Sequence, residues 1–201
     1  STGVIGVPLP MDRIAPAIAA VAPTVAGWDD ASRAIMTTDT RPKVAEREIV
    51  VAGGAVRIGG IAKGAGMIHP NMATLLVFVT TDAAVEPKRL QTAVTAAARS
   101  SFNAISVDGD TSTNDTLLVL ANGASGVTVA DADFPDFAAA LAEVCLDLAR
   151  AIVTDGEGVT KVFEVRVRGA ATEADATMAA IGCASRRKPW KKRAICSWTI
   201  V

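Results

Sequence analysis

GGIAKGAGMIHPNMATLLVFVTTDA, residues 59–83, places four glycines and a lysine before a polar, turn-prone IHPN and ends in an apolar run followed by TTDA. Residues 75–80 have the length and the β-branched and aromatic content of a buried strand. Gly59, Gly60, Gly64 and Gly66 allow backbone to approach a ligand closely or to take positive φ, and Lys63 sets a cation among them. This is not a phosphate loop. The GxxxxGK[ST] pattern needs Ser or Thr directly after the lysine, whereas Lys63 precedes the second glycine pair and no hydroxyl follows it. A threonine such as Thr74 at the mouth of a strand is ordinarily only a β-branched residue that fits.

Outward from this stretch, Val- and Ile-rich runs alternate with Ala-rich segments of helical period, so an α/β layered protein is expected. Residues 3–7, 34–38, 48–52 with 56–61, 116–121 and 162–168 read as strands, the middle pair flanking the turn signal Gly53-Gly54. Residues 11–21, 87–101 and 135–153 read as helices. In the last, Phe137, Leu141, Val144, Leu148 and Ile152 recur at spacings of three and four, which puts them on one face.

Composition narrows the function. With 20 Lys and Arg against 21 Asp and Glu, the chain has no electrostatic footprint for nucleic acid, and a small-molecule partner is expected. No apolar run approaches the roughly 20 residues of a membrane helix. Cys145, Cys183 and Cys196 form neither a CxxC pair nor an even-numbered framework, which suits a reducing, cytoplasmic setting. His69 is the one histidine, so a multi-histidine metal site is impossible and no metal is expected. The three aspartates of SVDGDTSTND, residues 106–115, lack the spacing and terminal glutamate of a calcium loop and read as a polar turn. No basic n-region precedes STGVIGV, so no signal peptide is expected.

From Ser1 to about Ala176 the chain resembles the ornithine acetyltransferases, also called glutamate N-acetyltransferases. The resemblance rests on STGVIG, IMTTDT, the KGAG loop running into MATLLVFVTTDA, and DGEGVTK, in the family's order. It implies a layered helix-sheet-sheet-helix fold, here incomplete, and autoproteolysis at Ala73–Thr74, which makes Thr74 an amino-terminal nucleophile. It also implies an oxyanion hole at Thr2 and Gly3, and substrate contacts at Thr37 (with Thr38 as the alternative), Lys63, Thr74 and Glu157. The activity implied is transfer of acetyl from N-acetylornithine to glutamate, with acetyl-CoA as a further co-substrate and no bound cofactor. The assembly implied is a heterotetramer of two alpha and two beta segments.

These assignments are chemically coherent. An amino-terminal threonine carries its own α-amine as the adjacent base, so no histidine is needed. Lys63 suits a substrate carboxylate, and Glu157 suits the ornithine ammonium. The resemblance divides the chain into an alpha segment, 1–73, and a beta segment, 74–176. Residues 177–201, in which SRRKPWKKR packs six basic residues into nine positions, read as an atypical tail outside the fold. Two other readings stand beside the acetyltransferase: a self-cleaving amidase or aminopeptidase in which water is the acceptor, and an inactive truncated fragment.

Overall fold

The structure, a computed structural model, describes residues 6–68, 75–109, 114–185 and 194–200. It has two compact units, residues 1–31 and 32–201. In the first, the expected helix is α1 (Met11–Ala20), with no buried residue. Of the strand expected at 3–7, Gly6 and Val7 lie in a turn and the rest falls outside the described residues.

The strand expected at 34–38 does not form. A second helix, α2 (Gly27–Ala34), ends there, and the chain bends so that Thr37 N–H donates to Asp39 Oδ2 at 3.2 Å. A short acidic side chain that binds nearby backbone competes with a strand ladder, and here it wins.

The larger unit is built on a four-stranded sheet. A hairpin of β1 (Lys43–Val51) and β2 (Gly54–Lys63) forms around the expected glycine turn, in register from Lys43↔Ala62 to Val51↔Gly54. Strand β3 (Leu76–Thr81) runs antiparallel to β2, with Lys63 opposite Leu76. Strand β2, before the expected division of the chain, and β3, after it, are therefore adjacent in one sheet. After β3 the chain forms helix α3 (Pro87–Ser100), whose N-terminus is capped by Glu86 accepting from the Lys88 and Arg89 N–H groups. It then makes a short strand β4 (Ile105–Ser106) and returns as β5 (Thr116–Ala121), parallel to β3.

Helix α4 (Phe134–Thr154) supplies most of the core. Phe137, Leu141, Val144, Leu148 and Ile152, the face read from the sequence, are fully buried against a sheet face bearing Val56, Ile58, Val77 and Val79. Burial of each such side chain is worth about 1.5–3 kcal/mol. The helix can come this close because Gly60 stands under it: a Cβ there would lie 2.8 Å from Leu148 Cδ1 and 3.1 Å from Val79 Cγ2. The opposite face of the sheet leaves Val44, Val50, Leu118 and Leu120 exposed.

A three-stranded sheet completes this unit in the order β4, β7 (Ala194–Ile200), β6 (Lys161–Val167), with β6 and β7 parallel. Helix α5 (Glu173–Ser185) packs on it, with Ala176 and Ala180 buried. Residues expected to stand outside the fold after 176 thus form most of α5 and the middle strand of this sheet. Small residues one helical turn apart let α5 sit close to its neighbours. AICSWTI, between the basic run and the end of the chain, has the β-branched content a strand needs. Among the described residues no helix is long and apolar enough to cross a membrane.

Candidate active site

The polar residues singled out in the sequence converge where β2 ends and β3 and β5 begin. Lys63, the last residue of β2, is 6% exposed, so its side chain is held within the protein. Its Nζ donates to Thr37 Oγ1 at 3.0 Å. An ammonium has three donors, and this bond orients the group through one of them.

Beyond Lys63 the chain turns through KGAGM. Met67 takes φ of 52°, a left-handed conformation that costs a side chain about 1–2 kcal/mol. The turn is held by Asp108, whose carboxylate accepts from Met67 N–H at 2.5 Å and from Ile68 N–H at 3.1 Å. Glu157 joins the same loop: its N–H donates to Ala65 C=O at 2.8 Å. Its carboxylate lies against Gly66, where an added Cβ would come within 3.3 Å of Oε1 and 3.7 Å of Asp108 Oδ2. Gly66 is therefore a small residue that leaves room for two carboxylates.

Beneath these loops lies a buried charge cluster that the sequence reading did not single out. Lys43 Nζ is 2.5 Å from Asp39 Oδ1 and 2.7 Å from Asp155 Oδ2, with side-chain exposures of 0%, 0% and 4% for the three residues. Asp39 also accepts from Gly64 N–H at 2.7 Å and, through its other oxygen, from Thr37 N–H. Asp155 accepts from Thr40 N–H at 3.0 Å and from the Thr40 hydroxyl. Three quoted motifs, IMTTDT, KGAG and DGEG, are thus tied to one lysine. Burial by itself would push both carboxyls up. The bonds from Gly64, Lys43 and Thr37 to Asp39, and from Lys43 and Thr40 to Asp155, outweigh it and hold both below the ordinary carboxylate value.

One signal for this cluster was present in the sequence. Lys43, Ala45, Ile49 and Val51 share the inner face of β1, so period-two alternation puts a lysine inside. Such a lysine needs carboxylate partners.

Asp115, the last residue of SVDGDTSTND, is a further acidic group at the site. Its Oδ1 accepts from Leu75 N–H at 2.7 Å. Burial raises its carboxyl above the ordinary value, while the Leu75 N–H and the charge of Lys63 pull it back.

The structure therefore joins Thr37 to Lys63 and sets Glu157 on the adjoining loop. Thr38 is exposed. Thr2, Gly3, His69, Ala73 and Thr74 lie outside the described residues.

Fold and site together define an α/β protein with a buried lysine, a hydroxyl and several carboxylates gathered at the ends of its strands. The chain belongs to the ArgJ family, whose model matches residues 1–194. It is 57% identical over 185 residues to the arginine biosynthesis bifunctional protein ArgJ of Symbiobacterium thermophilum, covering 90% of this chain and 46% of that protein. The protein of the same name from Ruegeria pomeroyi is 51% identical over 200 residues, 97% of this chain and 47% of the relative. The chain spans about half the length of the curated relatives it matches. A crystal structure of the Bacillus halodurans ArgJ protein aligns at 40% identity and a TM-score of 0.48, over 54% of this chain and 52% of that one.

Proposed function

We propose that this chain carries the nucleophile and part of the substrate site of an N-acyltransferase of arginine biosynthesis, which moves acetyl from N-acetylornithine to glutamate. Membership of the ArgJ family supports the reaction class. The observation that carries the site assignment is the bond from Lys63 to Thr37, with Glu157 on the adjoining loop. The cation suits a substrate carboxylate, and the anion suits an ammonium.

In this reading Thr74 Oγ attacks the Ala73 carbonyl carbon. The C–N bond breaks, the nitrogen takes the hydroxyl proton, and water hydrolyses the resulting ester. The freed α-amine of Thr74 then accepts the proton as Oγ attacks the acetyl carbonyl of N-acetylornithine. Ornithine leaves with a proton on its nitrogen, and the glutamate amine takes the acetyl group from the threonine ester. Thr2 and Gly3 are assigned to the developing oxyanion, where one donor is typically worth about 2.7–4 kcal/mol. Acetyl-CoA as a second donor, a cytoplasmic location and an assembly of two alpha and two beta segments belong to the same proposal.

Intact-mass measurement of the purified chain tests it. Segments 1–73 and 74–201 are expected from the parent and a single uncut chain from Thr74→Ala. Efficient cutting of Thr74→Ala would remove Thr74 from the mechanism.

A further inference from the structure

Lys63 is buried and Thr37 is exposed, so their bond of 3.0 Å stands at the boundary between the interior and solvent. A hydroxyl that accepts still has its own proton to donate, and an ammonium has two further N–H groups. Held at this spacing, the pair can present donors from both side chains to one carboxylate.

The two partners come from segments 26 residues apart in the chain, the bend after α2 and the end of β2. One carboxylate spans them. Asp39 Oδ2 accepts from Thr37 N–H at 3.2 Å, and Oδ1 accepts at 2.7 Å from the N–H of Gly64, the residue after Lys63. Both oxygens belong to one planar group whose side chain is 0% exposed and whose Oδ1 also meets Lys43 Nζ at 2.5 Å, so the bridge is itself fixed in place. Thr40 and Arg41 fasten the same bend to the end of α4, through Asp155 and Thr154, whereas Asp39 fastens it to the KGAG loop. A threonine hydroxyl stands only two bonds from its Cα, so a shift of this bend away from β2 carries the Thr37 hydroxyl away from Lys63.

We propose that Asp39 is a positioning residue for the substrate carboxylate: by bridging the Thr37 and Gly64 N–H groups it keeps the Thr37 hydroxyl and the Lys63 ammonium close enough to bind one carboxylate together. The inference rests on Thr37 and Lys63 being the carboxylate site of the proposed function. Asp39 does not touch the substrate and acts through Thr37.

Asp39→Asn separates this role from the buried ion pair. Its amide oxygen still accepts from Gly64 N–H and Lys43, and Lys43 keeps Asp155, so no buried charge is left unpaired. Its NH2 group faces Thr37 N–H donor to donor, and that bond is lost. The parent, Thr37→Val, Asp39→Asn and the double variant are compared by amide exchange, thermal melts and calorimetric titration with N-acetylornithine. The Thr37 amide should exchange slowly in the parent although the residue is exposed. In Asp39→Asn it should exchange about tenfold faster or more, with the Gly64 amide within about threefold of the parent. Each single substitution should raise Kd by about tenfold, as for a lost charge-assisted bond. The double variant should stay within about threefold of either single one, since both remove the same hydroxyl from the carboxylate.

Parental Kd in Asp39→Asn would overturn the inference alone, as would a loss of roughly a hundredfold in the double variant, because Asp39 would then act apart from Thr37. Rapid exchange of the Thr37 amide in the parent would do the same without any variant, and loss of folding in Asp39→Asn would make its role structural and end the inference too. A parent that binds no N-acetylornithine, or a Thr37→Val chain that binds it as the parent does, would overturn the carboxylate site and the inference with it.

Discussion

Asp39 and Lys43 meet at 2.5 Å with neither side chain exposed, and the Asp39 carboxylate also receives the N–H groups of Thr37 and Gly64. One residue thus holds the backbone on both sides of the Lys63–Thr37 bond. A buried ion pair is weak evidence of stability compared with an apolar replacement, but breaking it leaves an uncompensated charge.

Lys43→Met should accordingly strand two buried carboxylates and cost about 3–5 kcal/mol of folding free energy. Urea unfolding measures the loss directly. A Lys43→Met chain as stable as the parent would mean that water reaches the cluster.

The same cluster sets an acid limit. The Asp39 and Asp155 carboxyls sit below their unfolded value of about 3.9, so above that pH both folded and unfolded chains are ionised and the stabilisation is complete. As pH falls through the lower folded values, the unfolded chain binds protons first and stability drops. Unfolding free energy should therefore gain nothing from these two groups between neutral pH and about pH 5, then fall steeply below about pH 4. In the doubly substituted Asp39→Asn, Asp155→Asn chain that acid slope should be shallower.

Gly60→Ala tests the seat of α4 on the sheet. The new methyl would meet Leu148, Val79 and Val144 at 2.8, 3.1 and 3.2 Å, distances that require the helix or its side chains to shift. Overpacking of this kind costs about 1–3 kcal/mol. A thermal melt should show the loss, whereas an unchanged midpoint would show that α4 moves freely over β2.

Under the proposed function, removing the charge at Lys63 or Glu157, as in Lys63→Met or Glu157→Gln, should weaken substrate binding more than it slows the proposed cleavage at Thr74. A charge-assisted hydrogen bond is worth about 1.5–3 kcal/mol, so KM for N-acetylornithine should rise by roughly ten- to a hundredfold. Steady-state kinetics beside a cleavage time course separates the two effects. Parental KM in Glu157→Gln would remove that residue from the ammonium site.

Periodicity made the central part of the fold legible. Helix α4 carries its buried face on the spacing of three and four read from the sequence, β5 has the expected limits, and the glycine turn between β1 and β2 joins the expected hairpin. Each of these elements buries one face by a local repeat, and a local repeat is written in the residues themselves. The glycine-lysine loop and the DGEG turn were visible for the same reason: their residue types are unusual at their own positions.

Contacts between distant segments were not legible. Asp39, Lys43 and Asp155 span more than a hundred positions, and no local pattern reports that a lysine of β1 meets an aspartate after α4. Residues 34–38 looked like a strand because the propensity of IMTT fits one, whereas Asp39 is taken by Thr37, Gly64 and Lys43. The bond from Leu75 N–H to Asp115 likewise depends on β5 lying parallel to β3, a pairing across a crossover with no local signature. The sequence by itself determined which residues could carry charge, bend the chain or bury a face. Only tertiary structure decided which of them meet, because desolvated charges take their partners from whatever the packing of distant elements brings within hydrogen-bond reach.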